Sequence, residues 1–295
     1  MDRITTKLTS FAALAFASIF LLSCVSTMGC IGCNSNTGKL EKPWQLKPQE
    51  SFGLIIVEIE MKPFACEWTH NKAAKKCDIK KLNLPDKVTK SVGSSVVVGK
   101  NKTEDKTYVL TAAHVCSEAA QSEFSYQLKD GRTAQVAIKK AVKRIQVTDY
   151  TGVTREASVY RIDKPNDLCL ITTPGLWGNA FRVSPDDPIP GTKSYNVAAP
   201  HKIWAPGMVL MLDGYYSGKT PDGFYHYTIP ARPGSSGSPI LNEKGLIIGV
   251  VQRAFVGFEN LAISTSTQAI REILSTIPEE ELGFPDPTKI EILKL

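Results

Sequence analysis

The stretch RPGSSGSPIL, Arg232 to Leu241, decides how the rest of this sequence is interpreted. Between its two prolines it has two glycines and three serines, and an apolar run follows. A turn needs only one or two glycines, so the density of small residues exceeds what a turn requires. Ser236 lies between the two glycines and is therefore either filler in a turn or a nucleophile on a strained bend.

A serine hydroxyl becomes a useful nucleophile when a base removes its proton and donors stabilise the oxyanion that forms. The base should be a histidine that a carboxylate orients through the other ring nitrogen. The four histidines of the chain are His70, His114, His201 and His226. His114 follows a predicted strand in LTAAHVC, where two alanines let the backbone pack closely and leave the imidazole projecting. An ordinary surface or core position is the alternative for a lone histidine.

The carboxylate candidate is Asp167, in KPNDLCLIT. The apolar residues after it draw it toward the interior, where an unpaired charge is costly, so it needs a partner such as His114. Asp163 competes for this role, but Lys164 and Pro165 follow it and favour a turn. A turn or helix cap remains an alternative role for either aspartate.

Taken together, TAAHV, NDLCLI and GSSGSP, in that order, resemble the motifs of chymotrypsin-like serine peptidases, most of all the Deg/HtrA and glutamyl endopeptidase branches. The resemblance extends from about residue 88 to 278. It implies an all-β fold of two six-stranded antiparallel β-barrels with a C-terminal α-helix. His114 and Asp167 would lie on the first barrel and Ser236 on the second.

Carried over residue by residue, the resemblance makes Ser236 the nucleophile, His114 the general base and then acid, and Asp167 the group that orients the histidine. The backbone N–H groups of Gly234 and Ser236 would form the oxyanion hole. The implied activity is that of a serine endopeptidase, which hydrolyses peptide bonds of a protein or peptide substrate through an acyl-enzyme. It implies no cofactor and no metal ion.

Two features depart from the digestive members of this family. Ser235 stands before the nucleophile where those enzymes have an aspartate, and no start of the IVGG type is present to pair with such an aspartate. Both departures agree with the Deg/HtrA branch, which needs no zymogen cleavage. The 17 residues after position 278 are too few for the PDZ domain of that branch, so none is expected.

Specificity is predicted from a few positions only. Pro230, six residues before Ser236, would help to form the floor of the S1 pocket and offers no carboxylate to lysine or arginine. We therefore expect a small or medium apolar P1 residue. His226 could pair with a glutamate side chain instead, although its aromatic neighbours favour a structural position in a strand. The strand segment expected to pair with the substrate backbone is Val250, Val251 and Gln252.

Short β-rich runs recur at intervals of roughly ten residues, which is typical of an all-β barrel or sandwich. Residues 53–61 predict a strand and residues 91–115 predict a hairpin. One helix is predicted near the end, where Ser266 can cap it and Pro278 stops it. Its apolar face consists of Ile270, Ile273, Leu274 and Ile277.

Composition and charge favour a globular protein that does not bind nucleic acid. Hydrophobic residues make up 42% of the chain and charged residues 22%. The net charge is +6, but the lysines are scattered among acids or stand in short groups, which favours a solvated surface over a nucleic-acid groove.

The N-terminus is typical of an export segment. Cations in MDRITTK precede a charge-free run from Leu8 to Leu22. The following LLSC resembles a lipobox and predicts lipidation of Cys24. An uncleaved anchor reaching Cys33, or cleavage after Gly29, remains an alternative. Each of the three places the rest of the chain outside the cytoplasm, and the first two attach it to a membrane.

Seven cysteines agree with an exported protein. The candidate disulfides are Cys66–Cys77 and Cys116–Cys169. The second pair lies two residues beyond His114 and Asp167, so its sulfurs can meet if the histidine and the aspartate meet. A zinc site that combines CIGC, the first pair and His70 is disfavoured, since the spacing matches no zinc knuckle.

The sequence predicts five segments: a signal or lipoprotein segment at 1–24, a flexible tether at 25–50, an N-terminal extension at 51–87, a peptidase domain at 88–280 and a tail at 281–295. The alternative function is that of a catalytically inactive relative, which keeps the barrels as a binding or adhesion module at the cell surface. The complete set of histidine, aspartate and serine argues against this alternative.

Overall fold

β-strands make up most of the chain in the computed structural model, which describes residues 47–68, 75–82, 84, 86–117, 122–128, 131–255 and 257–282. The strands are β1 (Phe52–Trp68), β2 (Lys75–Lys76), β3 (Lys87–Asn101), β4 (Lys106–Ala112), β5 (Ser122–Gln127), β6 (Thr133–Asp149), β7 (Thr154–Asp163), β8 (Leu168–Pro174), β9 (Lys193–Ala198), β10 (Trp204–Ala205), β11 (Met208–Lys219), β12 (Tyr225–Tyr227), β13 (Pro239–Asn242), β14 (Ile247–Phe255) and β15 (Phe258–Ser264). The two α-helices are α1 (Ala113–Cys116) and α2 (Thr267–Leu274).

The first barrel has six antiparallel strands in the order β1, β3, β4, β8, β7 and β6, and it closes because β6 pairs back with β1. Phe52 to Met61 pairs with β3 on one side, while Gly53 and the residues after it pair with β6 on the other. Residues 51–87 were predicted as an extension before the peptidase domain, and the strand at their start completes the barrel.

β1 and β6 are long enough to continue past the barrel. Each has 17 residues, and beyond the barrel β1 also pairs with β2 while β6 pairs with β5. This strand extension has a small core of its own, in which Cys66, Leu82, Ala134 and Val136 are buried. The Cys66–Cys77 disulfide joins β1 to the segment just after β2.

The second barrel contains β9, β11, β12, β15, β14 and β13, and it closes because β9 pairs with both β13 and β11. Its interior holds three tyrosines, Tyr216, Tyr225 and Tyr227. The ring centroid of Tyr216 lies 5.2 Å from that of Tyr225 and 5.1 Å from that of Tyr227. Burial raises the pKa of the Tyr227 phenol well above its ordinary value, and its hydroxyl donates to the Ile248 carbonyl at 2.7 Å.

A shared apolar cluster joins the two barrels and α2. It combines buried residues of β3, β4 and β8 with residues of β13, β14 and the helix. As predicted, the Ser266 side chain caps α2 by accepting a hydrogen bond from the Ala269 N–H at 3.2 Å. The helix side chains that enter the cluster are Ala269, Ile270, Ile273 and Leu274, and Ile277 joins them from just beyond the end of the helix.

The all-β fold with two six-stranded barrels and a C-terminal helix is confirmed. The hairpin predicted for residues 91–115 corresponds to β3 and β4. β6 continues without interruption from Thr133 to Asp149, and β1 pairs with it across small register shifts.

Several predictions fall on residues outside the described ranges. These are the signal and lipidation predictions around Cys24, most of the tether, the CIGC segment, His70 and the tail after residue 282. Within the described ranges, no helix is both long enough and apolar enough to span a bilayer.

Candidate active site

His114 is positioned by the direct passage from β4 into α1. β4 ends at Ala112 and α1 begins at Ala113, and both alanines are buried, which brings the backbone close against the barrel. The imidazole itself stays at the surface, with 50% of the side chain exposed. The small residues before the histidine therefore have the effect predicted for them.

Asp167 binds His114 through both carboxylate oxygens. Oδ2 lies 2.8 Å from Nδ1 of the ring, and Oδ1 accepts a hydrogen bond from the His114 backbone N–H at 2.9 Å. An ionised carboxylate has no proton to donate, so Nδ1 must carry the proton and the lone pair of the neutral ring lies on Nε2. This tautomer can accept a proton from a serine hydroxyl.

The backbone of Asp167 is held in an uncommon conformation. Its φ is 52°, in the left-handed region, which aspartate tolerates better than most residues. The Asp167 N–H donates to the Lys164 carbonyl at 3.2 Å, and the Asp167 carbonyl accepts from the Ala113 N–H at 3.0 Å. Such strain typically occurs at functional sites. Asp163 instead caps the turn, since it accepts hydrogen bonds from the backbone and side-chain N–H groups of Asn166.

Ser236 lies in a tight double turn just before β13 of the second barrel. The Ser235 N–H donates to the Arg232 carbonyl at 2.8 Å, and the Ser238 N–H donates to the Ser235 carbonyl at 3.0 Å. The Ser236 hydroxyl donates to the Gln252 carbonyl at 3.1 Å. Among the described residues, no hydrogen bond joins this hydroxyl to the His114 ring, so the hydroxyl must leave Gln252 before it can meet a base.

The histidine segment and the Ser236 turn meet against β3. A Cβ added to Gly93 would come within 2.7 Å of the Val115 side chain and 3.0 Å of the Ser236 carbonyl oxygen, so only glycine fits between the two segments. Gly237, with φ of 85°, packs in the same way against Thr111 of β4. Three segments distant in the sequence therefore converge at one place.

Two backbone N–H groups beside Ser236 are available as donors. Within the part of the chain that the structure describes, neither the Gly234 N–H nor the Ser236 N–H donates a hydrogen bond. Gly234 has a φ of 101°, which strongly favours glycine. A Cβ at this position would also lie 2.5 Å from the Ala199 carbonyl oxygen. The turn can thus present two donors to one oxyanion.

Gln252 contacts both sides of the site. Besides accepting from the Ser236 hydroxyl, it donates a hydrogen bond from Nε2 to the Asn166 carbonyl at 2.8 Å, directly before Asp167. Only 6% of the residue is exposed. Sequence reasoning marked Gln252 for substrate binding and missed this side-chain link, because no local pattern shows which loop a glutamine will reach.

The prediction that Val250 and Val251 pair with the substrate was wrong. Val251 uses its N–H on the Ser238 carbonyl and its carbonyl on the Gly237 N–H, while the Val250 carbonyl accepts from Thr265. Both residues lie in the part of β14 that has β13 as its neighbour strand on one side and β15 on the other. The strand edge opens only from Gln252 onward, where the pairing with β13 has ended.

Two other residues singled out in the sequence, Pro230 and His226, lie apart from this hydrogen-bond network. Pro230 is half-buried, and its neighbours Ile229 and Ala231 belong to the apolar core of the second barrel. His226 lies in β12, and its buried Nδ1 has no hydrogen-bond partner among the described residues. His201 contributes through its backbone, since its N–H donates to the Pro233 carbonyl at 2.7 Å.

Both predicted disulfides are present. Cys66 and Cys77 are joined, so their thiolates are not free to bind zinc. The Cys116–Cys169 disulfide ties α1 to β8 two residues beyond His114 and Asp167, and closes a loop with a sequence separation of 53. It therefore braces the pair of segments that holds the histidine and the aspartate together.

Removing this disulfide with the double substitution Cys116→Ala and Cys169→Ala is expected to lower the free energy of unfolding by about 2–4 kcal/mol, because the unfolded chain gains loop entropy. Scanning calorimetry should show a Tm lower by roughly 4–16 °C for a domain of this size. The matched control is Cys66→Ala with Cys77→Ala, which opens a loop with a sequence separation of only 11, in the strand extension. Only the first double variant should lower kcat, and equal kcat values would contradict the bracing role.

The family comparison agrees with this arrangement. A model described as a trypsin-like peptidase domain matches residues 93–250, which is more than half of the 295 residues. The chain belongs to the trypsin-like peptidase family. This trypsin-like peptidase carries His114, Asp167 and Ser236 all inside the matched span. The family resemblance drawn from its three motifs is confirmed.

Among solved structures, the trypsin-like peptidase is similar to a serine endoprotease from Yersinia pestis, with a TM-score of 0.50 and 15% sequence identity. The similarity covers 78% of this chain and 63% of that chain, so this chain spans less than two thirds of that protein's length. At this identity the likeness concerns the fold alone. No curated protein matches the chain.

Proposed function

We propose that this trypsin-like peptidase is a serine endopeptidase with Ser236 as nucleophile, His114 as general base and acid, and Asp167 as the group that orients the histidine. The observation that carries the proposal is the contact of 2.8 Å between Asp167 Oδ2 and His114 Nδ1, which leaves the lone pair on Nε2. The segment that bears this ring packs on β3 beside the turn that contains Ser236.

In the proposed reaction, Ser236 Oγ leaves the Gln252 carbonyl and attacks the peptide carbonyl carbon while its proton passes to His114 Nε2. The carbonyl oxygen becomes an oxyanion that accepts hydrogen bonds from the Gly234 and Ser236 N–H groups. The C–N bond then breaks, Nε2 returns the proton to the leaving amine, and an acyl ester remains on Ser236. Water attacks that ester while His114 Nε2 takes its proton, the ester C–O bond breaks, and Nε2 returns the proton to Ser236 Oγ as the carboxylic acid product leaves.

Substrate binding is proposed at the open edge of β14 from Gln252 onward, where a peptide can add as a further strand. The S1 pocket is proposed beside Pro230. Pro230 offers no charged group to a substrate side chain, which supports a small or medium apolar P1 residue. The intact His114–Asp167 pair supports an enzyme over an inactive binding module.

The test is a fluorophosphonate probe, which forms a phosphonyl ester with an activated serine as fluoride leaves. Peptide mass mapping of the labelled wild-type protein should place the adduct on Ser236. Ser235→Ala, which alters the neighbouring buried serine, should still be labelled. A peptide library varied at P1 should be cleaved after small or medium apolar residues. Folded wild-type protein that is neither labelled nor active on the library would favour the adhesion module instead.

We also propose that the domain acts outside the cytoplasm, attached to a membrane through Cys24. All four cysteines in the described ranges are paired, which supports an oxidising compartment. Metabolic labelling with a fatty acid should mark the wild-type protein and be absent from Cys24→Ala. Equal labelling of both proteins, or none in either, would contradict lipidation at this cysteine.

A further inference from the structure

One buried serine of the first barrel makes three hydrogen bonds around the Ser236 turn. Ser94 lies on β3 and has no exposed surface. Its N–H donates to the Ser236 carbonyl at 2.8 Å, and its hydroxyl donates to the Gly234 carbonyl at 2.7 Å. The same hydroxyl accepts from the Ala199 N–H at 3.0 Å. Ser94 is therefore bonded to both residues of the proposed oxyanion hole, Gly234 and Ser236.

A hydroxyl suits this place because it can donate one hydrogen bond and accept another at the same time. An alanine would leave the Gly234 carbonyl and the Ala199 N–H without their partner in a buried place, where unpaired polar groups are unfavourable. The turn would then have to move toward other partners, or water would have to enter. Either change acts directly on Gly234.

Gly234 needs this restraint because glycine rotates about its backbone bonds more freely than any other residue. The peptide bond before it is fixed through the Pro233 carbonyl, which accepts from the His201 N–H at 2.7 Å. In a planar trans peptide the N–H points opposite to the carbonyl, so this contact also directs the Gly234 N–H. The peptide bond after Gly234 is fixed on its carbonyl side by Ser94.

We propose that Ser94 is a positioning residue for the oxyanion hole: its hydroxyl holds the Gly234 carbonyl from the opposite barrel and so keeps the Gly234 N–H directed at the reacting oxygen. This inference rests on the proposed peptidase function and deepens it. Ser94 does not touch the substrate, and its contribution is exerted through the conformation of Gly234.

Ser94→Ala is expected to lower kcat by about 10²-fold, comparable to the loss of one oxyanion donor, while KM changes by less than about threefold. Active sites are counted by burst titration, so that unfolded protein does not enter the rate. Ser94→Cys, with a similar shape and a weaker hydrogen-bonding group, should lose less and serves if the alanine variant does not fold.

The matched control is Ser95→Ala. Ser95 is the next residue of β3 and is equally buried, but its hydroxyl donates to the Gly53 carbonyl inside the first barrel, at 2.8 Å. It should share any loss of stability and keep the wild-type kcat. Equal kcat values for the Ser94→Ala and Ser95→Ala variants would overturn the proposal.

Crystal structures of the two alanine variants give a readout that does not need activity. The Gly234 carbonyl should turn away from its wild-type direction in Ser94→Ala and stay in place in Ser95→Ala. An unchanged Gly234 peptide in Ser94→Ala would overturn the positioning role. If wild-type protein proves unreactive at Ser236, the peptidase proposal fails, and these structures still decide the role of Ser94.

Discussion

Replacing Ser236 by alanine is expected to lower kcat for peptide hydrolysis by about 10⁶-fold, because the acyl-enzyme can no longer form. The protein should fold normally, since the Ser236 side chain makes one hydrogen bond within the described part of the chain, to the Gln252 carbonyl. The rate is measured with a fluorogenic peptide after removal of any wild-type contaminant. His114→Ala should lose a similar factor, because the hydroxyl without its base is a poor nucleophile.

The combination of the two substitutions gives the sharper result. Residues that act as one catalytic unit do not add their effects, so Ser236→Ala with His114→Ala should be no slower than either single variant. Ser235→Ala is the control for disturbance of the turn. It should keep kcat within about threefold, because Ser235 is buried and its loss leaves the surface of the site unchanged. More than 1% of the wild-type kcat in purified Ser236→Ala, set against the roughly 10⁶-fold loss expected, would contradict the nucleophile assignment.

Asp167→Asn is expected to lower kcat by about 10⁴-fold, as the same change does in a related serine peptidase. Asparagine tolerates the left-handed backbone of this position as well as aspartate does, so strain should not change. Its single acceptor oxygen can keep the bond to the His114 N–H. The amide NH₂ group then faces Nδ1, which forces the ring proton onto Nε2 and removes the base.

The ring tautomer can be followed directly. Nitrogen NMR of His114 should show the proton on Nδ1 in wild-type protein and on Nε2 in Asp167→Asn. Asp163→Asn is the matched control, because Asp163 lies four residues earlier and its side chain accepts hydrogen bonds from Asn166 of its own turn. It should leave both kcat and the tautomer unchanged. A wild-type kcat in Asp167→Asn would show that another group orients the histidine.

The architecture was readable from the sequence because each element depends on local chemistry. Short strands separated by turn residues predicted an all-β barrel or sandwich, and the family resemblance specified two six-stranded barrels. Ser266 predicted the start of the final helix, whereas the helix ends at Leu274, four residues before Pro278. The closure of the first barrel was not readable. Residues 53–61 predicted a strand, but nothing local shows that this strand pairs with β3 and β6, because strand pairing depends on distant segments.

The same distinction applies to the site. His114, Asp167 and Ser236 stand in motifs that can be identified, and the pairing of the first two was predicted from the cost of an unpaired buried acid. Ser94 carries no such signal, since a serine in a strand gives no indication of a contact with residue 234. Val250 and Val251 were misassigned because a β-rich run does not show where its neighbour strand ends.

The bond between Ser94 and Gly234 has a consequence for how such a molecule can change over evolutionary time. The acceptor is a backbone carbonyl that any residue at position 234 would supply, so substitution can remove this bond only at position 94, where it would leave that buried carbonyl unmatched. Chimeras that replace the first half with that of a distant relative would therefore need a hydroxyl donor at the same place on β3. Catalytic competence is in that sense a property of the junction between the two halves.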